Sequence, residues 1–397
     1  MKPRIAIVRG PFLSVEEIKL YEPLTDDFDI TFVSSNAGTQ GKVNNIKIMQ
    51  ASCLSCILDY ACFGNAFRKI AGIVNNIAGV DPEMILHLKK ILRGFDLVHT
   101  IDYDFLITYQ IARIKRQNEY KLIATHWENI PFARDNKPIA RKMKYYVYSN
   151  VDAFFAMSER AKDSLILEGV DEPKIFVTGY GVDTERFRPR DGERLEWRKR
   201  YNINQDDVVI LFVGRIRQSK GVLELIYAAK KLVQDPEINQ EKLKVVIAGK
   251  GPMEKELDNR IKLLGLEKNV MRIGYIPHTD IHLVHNMADI FALPSIPRKY
   301  WQEQLGLVLL EAMACGKPVV STLSGSIPEV IGNAGILVQP NDHIALYEAL
   351  KKIINDSSCR ESLGQLGRER VLNNFTVGKI SQKMRNGLHQ IIGTGRV

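Results

Sequence analysis

The chain has 397 residues, of which 45% are hydrophobic and 25% charged, and its formal net charge is +9 at pH 7. This is ordinary globular composition over a length of two or three domains, which excludes a disordered or fibrous protein. No window approaches the roughly 18 apolar residues of a membrane span, and the apolar run near Met1 is too short for a signal peptide. Without an export signal, the five cysteines predict a reducing cytoplasm.

The positive charge is spread over the chain and favours a partner that carries phosphate groups. Three classes of partner fit: nucleic acid, an anionic membrane surface and a phosphorylated small molecule. The sequence has neither zinc-finger spacing nor an aromatic RNA-binding signature, so nucleic acid is the least favoured. The other two classes are compatible with each other and both remain open.

Short apolar runs alternate with helical windows, and the alternation occurs twice along the chain. Strands are predicted at 4–8, 29–33, 97–100, 121–124, 153–156 and 175–177, and again at 208–213, 243–248, 270–273, 290–293, 318–320 and 335–338. Helices are predicted between strands, for example at 220–232, 253–264 and 305–315. Such alternation with continuous apolar strands predicts parallel sheets covered on both faces, which is an α/β fold of two doubly wound, Rossmann-like domains.

A polar stretch at 183–206, with Pro189 and Gly192, separates the two sets of strands. It is predicted to be a linker, with some helix at 193–201, between a first domain at 1–182 and a second at 207–375. The last segment, 376–397, is predicted to be a helix that crosses back to the first domain. Because doubly wound sheets bind ligands at the carboxyl ends of their strands, two facing domains predict a cleft for two substrates.

The segment 301–320 contains Glu303 and Glu311, and a helix is predicted to begin near Leu305. The free backbone amides near Gly306 and Leu307 would then suit a diphosphate, and the two carboxylates would accept hydrogen bonds from hydroxyl groups on either side of it. The alternative is that one glutamate stabilises the helix dipole and the other is a solvated helix residue.

A second motif follows the predicted strand 208–213, where Gly214-Arg215 precedes Lys220-Gly221. An arginine fork and a lysine ammonium at the carboxyl end of a strand suit phosphate oxygens. A basic surface loop is the alternative.

As a set, these motifs resemble the retaining glycosyltransferases of the GT-B fold, in the large family four. The resemblance extends over about residues 150–375 and includes Pro294-Ser295, Gly325…Pro328-Glu329 and Ala248-Gly-Lys-Gly-Pro252. It implies two Rossmann-like domains that face each other across a cleft, and a reaction that moves a sugar from a nucleoside-diphosphate sugar to an acceptor hydroxyl with retention of configuration.

The resemblance also implies a role for each site residue. Arg215 and Lys220 would bind the donor diphosphate together with Gly214 and the amides of Gly306 and Leu307. Glu303 would hold hydroxyl groups of the donor sugar and Glu311 the ribose. The segment Tyr275–His278, which includes Ile276, would pass near the base, mainly through backbone groups. His126, which follows a strand of the first domain, would approach the donor sugar; on residue type alone it is a core histidine. Gly10 belongs to the donor-binding set, although the family often has two glycines there.

No cofactor and no metal are implied, because Arg215 and Lys220 would neutralise the departing diphosphate. Asp102 and Asp104 imitate a metal-binding pair but lie in the first domain, and Cys53, Cys56 and Cys62 are predicted to be buried thiols. The implied acceptor is a saccharide or a lipid-linked molecule of the cell envelope. A sugar-nucleotide epimerase on the same fold and a non-catalytic partner subunit are the alternatives.

Two segments of the first domain combine apolar and basic residues. The apolar stretch 54–80 is followed by Lys89, Lys90 and Arg93, and a basic helix is predicted near Lys137–Tyr148. Either segment could lie on an anionic bilayer at the inner membrane face, and a solvated helix face is an equal alternative. A cytoplasmic protein with or without peripheral membrane contact is therefore expected.

Overall fold

A computed structural model describes residues 1–35, 41–43, 46–54, 57 and 64–393 of the chain. The chain forms two compact units. Unit 1 comprises Met1–Gly181 with Val377–Val397, and unit 2 comprises Val182–Thr376. In the described part of the chain, no helix is long and apolar enough to cross a membrane.

Unit 1 is built on one sheet with helices on both faces. Its elements in chain order are β1 (Arg4–Gly10), α1 (Val15–Tyr21), β2 (Asp29–Ser34), β3 (Gly41–Val43), β4 (Ile46–Gln50), α2 (Gly64–Ala78), α3 (Leu88–Ile91), β5 (Leu97–Thr100), α4 (Leu106–Asn118), β6 (Lys121–His126), α5 (Pro138–Asn150), β7 (Ala153–Ala156), α6 (Glu159–Leu167) and β8 (Ile175–Val177). The strand order within the described residues is β3-β4-β2-β1-β5-β6-β7-β8. Every neighbouring pair is parallel except β3 with β4.

Unit 2 repeats the same arrangement. Its elements are α7 (Asp191–Arg200), β9 (Val208–Val213), α8 (Val222–Gln234), β10 (Leu243–Ala248), α9 (Glu254–Leu263), β11 (Val270–Gly274), α10 (Ile281–Met287), β12 (Ile290–Leu293), α11 (Leu307–Ala314), β13 (Val319–Thr322), α12 (Ile327–Ile331), β14 (Ile336–Val338), α13 (His343–Asn355) and α14 (Ser357–Asn374). The sheet is parallel in the order β11-β10-β9-β12-β13-β14. The chain changes direction across the sheet between β9 and β12, and this switch point is where such sheets bind ligands.

The prediction of two doubly wound α/β domains is confirmed, and each predicted strand is present. Their interiors are continuously apolar because both faces of a parallel sheet are covered; in β9, for example, Val209–Val213 are all buried. Strands β3 and β4 were not predicted from the sequence. In β4, buried and exposed residues alternate at the start, and the strand lies near one edge of the sheet, so it has no continuous apolar run.

In place of the linker predicted at 183–206, the structure has a segment that belongs to unit 2. The helix predicted at 193–201 is present as α7. Its polar sequence is misleading, because two of its arginines, of which Arg198 is buried, form ion pairs within unit 2. Arg198 Nη2 lies 2.7 Å from Asp289 Oδ2, and Arg194 Nη2 lies 2.6 Å from Asp289 Oδ1. Trp197 is buried beside them.

The last helix, α15 (Val377–Gly393), belongs to unit 1. Ile380, Met384 and Leu388 project from it into an apolar cluster of that unit. The serine Ser381 also donates a hydrogen bond to the carbonyl oxygen of Leu20, at 2.6 Å. These contacts attach the C-terminal helix to unit 1 through both apolar packing and a buried hydrogen bond.

One cysteine differs from expectation. Cys53 is buried and disulfide-bonded, so the prediction of a thiol there is wrong. Cys56 and Cys62 lie outside the described residues.

Candidate functional site

The turn after β9 depends on a glycine. Gly221 has φ +68°, and a Cβ at this position would lie 1.8 Å from the carbonyl oxygen of Pro294, which follows β12. Only glycine permits this approach. Lys220 is therefore held beside the ends of both β9 and β12, at the switch point of the sheet.

Lys220 forms an ion pair with Glu303. Its Nζ lies 2.9 Å from Oε1 and 2.7 Å from Oε2, and the side chains are only 18% and 8% exposed. Ser295 donates a further hydrogen bond to Glu303 Oε2, at 2.6 Å. Lys220 and Arg217 also lie over the ring of Trp301, at 5.1 and 5.4 Å from its centre. The structure thus pairs two residues that the resemblance had assigned to different groups of the donor.

Gly306 begins the helix that carries the second glutamate. It has φ +76° and is the residue before α11, and its carbonyl oxygen accepts a hydrogen bond from the Leu309 amide at 2.8 Å. The backbone amide of Leu307 lies in the first turn, where amides have no partner within the helix. Most of α11 is buried, including Glu311, so Glu311 is not a solvated helix residue.

Two histidines contact the carboxylate of Glu311. His278 Nε2 donates a hydrogen bond to Oε1 at 2.8 Å, and His285 Nε2 lies 3.5 Å from Oε2. Burial alone would raise the pKa of the Glu311 carboxyl, but the two histidines outweigh it and the pKa is lowered. Glu311 is therefore ionised at neutral pH and can accept hydrogen bonds from hydroxyl groups.

A cavity of about 470 Å³ opens at the carboxyl ends of β9 and β10. Its lining consists of Val213, Gly214, Arg215, Ala248, Gly249, Lys250, Tyr275, Ile276, His278, Ile281, Leu307, Val308 and Glu311. Six of the predicted donor residues are in this set: Gly214, Arg215, Tyr275, Ile276, Leu307 and Glu311. Lys220, Glu303 and Gly306 are not among the lining residues.

The cavity also contains Lys250, which was given no role from the sequence, and His278, whose contact with Glu311 was not predicted. Lys250 adds a second cation beside Arg215, and His278 adds the partner of Glu311. Lys250 follows Gly249, where a Cβ would lie 1.9 Å from the carbonyl oxygen of Gly214, so glycine is required for the two turns to meet. The only signal in the sequence was the motif Gly-Lys-Gly after a buried strand.

His126 ends β6 in unit 1 and is fully buried. Its Nδ1 lies 3.3 Å from Asp102 Oδ1, and within the described residues its Nε2 has no hydrogen-bond partner. Burial acts to lower the pKa of the imidazole, but the Asp102 carboxylate outweighs it and the pKa is raised. His126 is thus a core histidine with one ring nitrogen unsatisfied.

Asp102 and Asp104 have internal partners. Asp102 accepts hydrogen bonds from the amides of Tyr103 and Trp127, at 2.7 and 2.8 Å. Asp104 lies 2.8 Å from Arg134 Nη2, and burial raises its pKa to about 7. Among residues whose placement the structure describes, no group of three or more His, Cys, Asp and Glu side chains could hold a metal ion.

Gly10 lies at the carboxyl end of β1 in unit 1 and has φ +55°. Its carbonyl oxygen accepts a hydrogen bond from the Ser35 amide at 2.9 Å. A Cβ at Gly10 would lie 2.9 Å from Ile107 Cδ1. The glycine therefore forms a tight turn at the edge of the first sheet where ligands of such sheets bind.

Two family models match the sequence. The model described as glycosyl transferases group 1 matches residues 193–370, and the model described as glycosyltransferase family 4 matches residues 61–186. The first match contains the whole cavity lining in unit 2, and the second contains His126.

Curated relatives carry glycosyltransferase names. The capsular polysaccharide biosynthesis glycosyltransferase CapM of Staphylococcus aureus is 33% identical over 56% of this chain and 57% of the relative. The D-inositol 3-phosphate glycosyltransferase of Corynebacterium jeikeium is 30% identical over 68% of this chain and 67% of the relative. For the first three relatives the chain spans 57%, 64% and 59% of their length.

Solved structures share the fold over nearly the whole chain. Anabaena HepE, in complex with UDP, has a TM-score of 0.74 at 18% identity and covers 98% of this chain and 100% of its own. Sucrose-phosphate synthase from Thermosynechococcus elongatus has a TM-score of 0.73 at 19% identity, with 99% and 100% covered. Together with the family models, these matches confirm the resemblance that the motifs suggested: the chain belongs to the group 1 glycosyltransferases and has the GT-B fold.

Proposed function

We propose that the chain transfers a sugar from a nucleoside-diphosphate sugar to a hydroxyl group of a saccharide or lipid-linked acceptor, with retention of configuration and without a metal or other cofactor. The observation that carries the proposal is the cavity of unit 2, where the exposed Arg215, the start of α11 and the ionised Glu311 line one space. Its volume lies within the roughly 300–1,000 Å³ of small-molecule sites. A capsular polysaccharide enzyme among the relatives supports a role in cell-envelope saccharide synthesis.

The donor would bind by complementary charge. Arg215 offers a planar fork of donors to the diphosphate, and the free amides of the first turn of α11 meet the same anion. Glu311 would accept hydrogen bonds from the ribose hydroxyls, and the segment around Tyr275 and Ile276 would border the base. HepE, which has the same fold, has been solved with UDP and with UDP-glucose, in support of this class of donor.

In the proposed reaction the bond between the anomeric carbon and the diphosphate oxygen breaks while a bond to the acceptor oxygen forms on the same face. The proton of the acceptor hydroxyl passes to an oxygen of the departing diphosphate. Negative charge accumulates on that diphosphate, so cations and amides fixed beside it lower the barrier. Each charged hydrogen bond of this kind contributes about 1.5–3 kcal/mol.

Lys220 would bind the diphosphate and Glu303 the sugar hydroxyls, while the ion pair between the two side chains is kept. An ammonium group has three donors, so Lys220 can keep a bond to Glu303 and direct another to a phosphate oxygen. Glu303 is already engaged by Lys220 and Ser295, which orients its carboxylate and reduces its strength as a nucleophile. This favours transfer without a covalent sugar–enzyme intermediate.

By resemblance to the family, His126 would approach the donor sugar and Gly10 would belong to the donor-binding set. Asp102 holds Nδ1 of His126, which leaves Nε2 as the nitrogen available to a sugar hydroxyl. The tight turn at Gly10 would let the backbone approach the donor closely. Both roles follow from the resemblance to the family.

The experiment that tests the proposal is a thermal-shift panel of nucleoside diphosphates, their monophosphates and their sugar conjugates. A ligand of the native state raises the melting temperature in proportion to the logarithm of its concentration over Kd. One base is expected to stabilise the protein, with the diphosphate more effective than the monophosphate. Arg215→Ala should abolish that difference, whereas Lys255→Ala, an exposed cation on α9, should keep it. A wild-type response to no nucleoside diphosphate would refute the proposal.

The proposed location is the cytoplasm. The disulfide at Cys53 weighs against a reducing compartment, because cytoplasmic thiols are kept reduced. Cell fractionation combined with alkylation of free thiols tests the location. A cytoplasmic protein should be found in the cytoplasmic fraction and be absent from the periplasmic and secreted fractions. Recovery in an exported fraction would contradict the location and leave the donor site untouched.

A further inference from the structure

The segment between β12 and α11 contains a tight turn that carries cations. The backbone amide of Arg298 donates a hydrogen bond to the carbonyl oxygen of Trp301 at 2.6 Å, and the Trp301 amide donates to the carbonyl oxygen of Arg298 at 3.2 Å. These two bonds close the turn. Arg298, Lys299 and Tyr300 are exposed on it, whereas the ring-bearing residue Trp301 is half-buried.

The turn is attached to the segment that follows β9. The amide of the buried Ile296 donates a hydrogen bond to the carbonyl oxygen of Ser219 at 2.8 Å. Two cations of the same segment lie over the Trp301 ring, with Arg217 Cζ at 5.4 Å and Lys220 Nζ at 5.1 Å from its centre. The attraction between a cation and an aromatic face therefore holds both side chains beside the turn.

Arg217 is a half-buried cation whose charge is not matched by a direct partner in the described part of the chain. Its guanidinium nitrogens form neither an ion pair nor a hydrogen bond with any residue that the structure describes. Burial and the charge of Arg215 lower the pKa of Arg217, and the Glu303 carboxylate only partly offsets them. Because arginine stays protonated at neutral pH, an anion that binds here would relieve an unfavourable charge.

Cations outnumber carboxylates in the two segments that meet at this point, 214–221 and 295–303. Glu303 is the single carboxylate in their sequences. The cations are Arg215, Arg217, Lys220, Arg298 and Lys299. Each phosphate of a nucleoside-diphosphate sugar is singly ionised, so the diphosphate and Glu303 together leave cations in excess. This excess favours a ligand with a further acidic group.

The position of Arg217 indicates the donor sugar as the carrier of that group. Arg217 is not among the residues that line the cavity, whereas Arg215 is. It lies over Trp301, which is two residues before Glu303 in the chain. In the proposed function, on which this step rests, Glu303 holds hydroxyl groups of the transferred sugar. A cation beside Glu303 but outside the cavity would therefore meet a substituent of the same sugar.

We propose that Arg217 and the turn Arg298–Trp301 bind a carboxylate of the donor sugar, so that the sugar transferred is a uronic acid. The planar fork of Arg217 matches the two oxygens of a carboxylate, and Trp301 keeps the fork in place. Lys220 neutralises Glu303, so that Glu303 does not repel a second carboxylate nearby. A neutral hexose would leave Arg217 without a partner, and the subsite thus selects the donor by charge.

Equilibrium binding of matched donors to the full chain tests the subsite. The probes are conjugates of the nucleoside diphosphate that stabilises the protein, in pairs of glucose with glucuronate, galactose with galacturonate and mannose with mannuronate. In at least one pair the uronate should bind at least about tenfold more tightly than the neutral sugar, because it gains a charged hydrogen bond. The difference should shrink as salt rises.

Substitutions assign the preference to Arg217. Arg217→Gln should remove it and leave the affinity for the unconjugated nucleoside diphosphate unchanged. Arg260→Gln is the matched control and should keep the preference, because Arg260 on α9 is also half-buried and its Cζ lies 5.6 Å from the ring centre of Tyr227. Trp301→Leu should weaken the preference by removing the ring beside Arg217, and Trp301→Phe should restore part of it.

Two results would overturn the proposal while the nucleoside diphosphate still binds: no preference of the wild type for any uronate, or an equal preference in Arg217→Gln. A third is binding of glycerol phosphate, in the presence of the nucleoside diphosphate, that Arg217→Gln abolishes, since the acidic group would then belong to the acceptor. All three leave the proposed function intact. Failure of every nucleoside diphosphate to bind would instead refute the proposed function, and the uronate subsite with it.

Discussion

The two sheets share a doubly wound parallel core but end differently at their carboxyl edges. In unit 2 the ends of β9 and β10 open on a cavity, and Arg215 is exposed there. In unit 1 the ends of β5 and β6 are closed by charged groups that pair with each other, Asp102 with His126 and Asp104 with Arg134. The carboxyl edges of the two sheets therefore hold charge in two ways, as an open site and as an internal network.

The difference lies in the turns rather than in the strands. In unit 2, Gly221 and Gly249 let backbone segments approach closely, so the turns stack and leave space above them. In unit 1, the backbone amides of Tyr103 and Trp127 donate hydrogen bonds to the Asp102 carboxylate, so the turns close around that carboxylate. A parallel sheet thus provides an edge where a ligand can bind. The turns at that edge determine whether it is open to a ligand or filled by side chains of the protein.

The largest expected effect concerns the ion pair of Lys220 with Glu303 in unit 2, which is neither exposed nor fully buried. Lys220→Met or Glu303→Gln alone should lower the free energy of unfolding by about 3 kcal/mol, because each leaves a nearly buried charge without its partner. The double variant should recover most of that loss, since no charge remains. Urea denaturation of the four proteins measures the coupling.

The exposed pair of Lys242 with Asp206, whose side chains are 49% and 63% exposed, is the matched control. Its single variants Lys242→Met and Asp206→Asn should change stability far less, because solvent screens exposed ion pairs. Simple additivity of the Lys220 and Glu303 effects would show that the two charges do not stabilise each other. Nucleotide binding should stay impaired in the stable double variant if both side chains also serve the donor.

A smaller effect, on activity alone, is expected at Arg215, the exposed cation of the cavity. Arg215→Ala should lower kcat/KM at least about tenfold, because losing a charged hydrogen bond of 1.4 kcal/mol or more is a factor of ten. The melting temperature without ligand should not change, since the side chain is exposed. Steady-state kinetics with the donor identified by thermal shift provide the measurement, and near wild-type turnover would remove Arg215 from the site.

Much of the fold was predictable because buried parallel strands are continuous apolar runs of the kind seen at β9. The helix α7 was predicted, but the stretch around it was assigned to a linker because the sequence does not show that Arg194 and Arg198 pair with Asp289. The site residues were identified as motifs, and their mutual contacts were not. Lys220 is 83 residues from Glu303, and His278 is 33 from Glu311, so only the folded chain brings each pair together.

The last prediction tests the internal network of unit 1 through pH. Burial raises the pKa of Asp104 to about 7, whereas an unfolded aspartate titrates near 4. Between these values the folded protein keeps a proton that the unfolded chain has released, so the free energy of unfolding falls as pH rises through this window. Above about pH 7 both states are ionised at this position and the contribution is constant.

Asp104→Asn should flatten that part of the profile, so that the variant gains stability relative to the wild type as pH rises from about 4 to 7. Chemical denaturation at a series of pH values measures the difference, and Asp191→Asn, at an exposed position on α7, should leave the profile unchanged. A constant offset between Asp104→Asn and the wild type over the whole window would mean that Arg134 keeps Asp104 ionised in the folded state. The carboxyl edge of unit 1 would then carry an ion pair in place of a protonated acid, and it would be closer in character to the Lys220–Glu303 pair of unit 2.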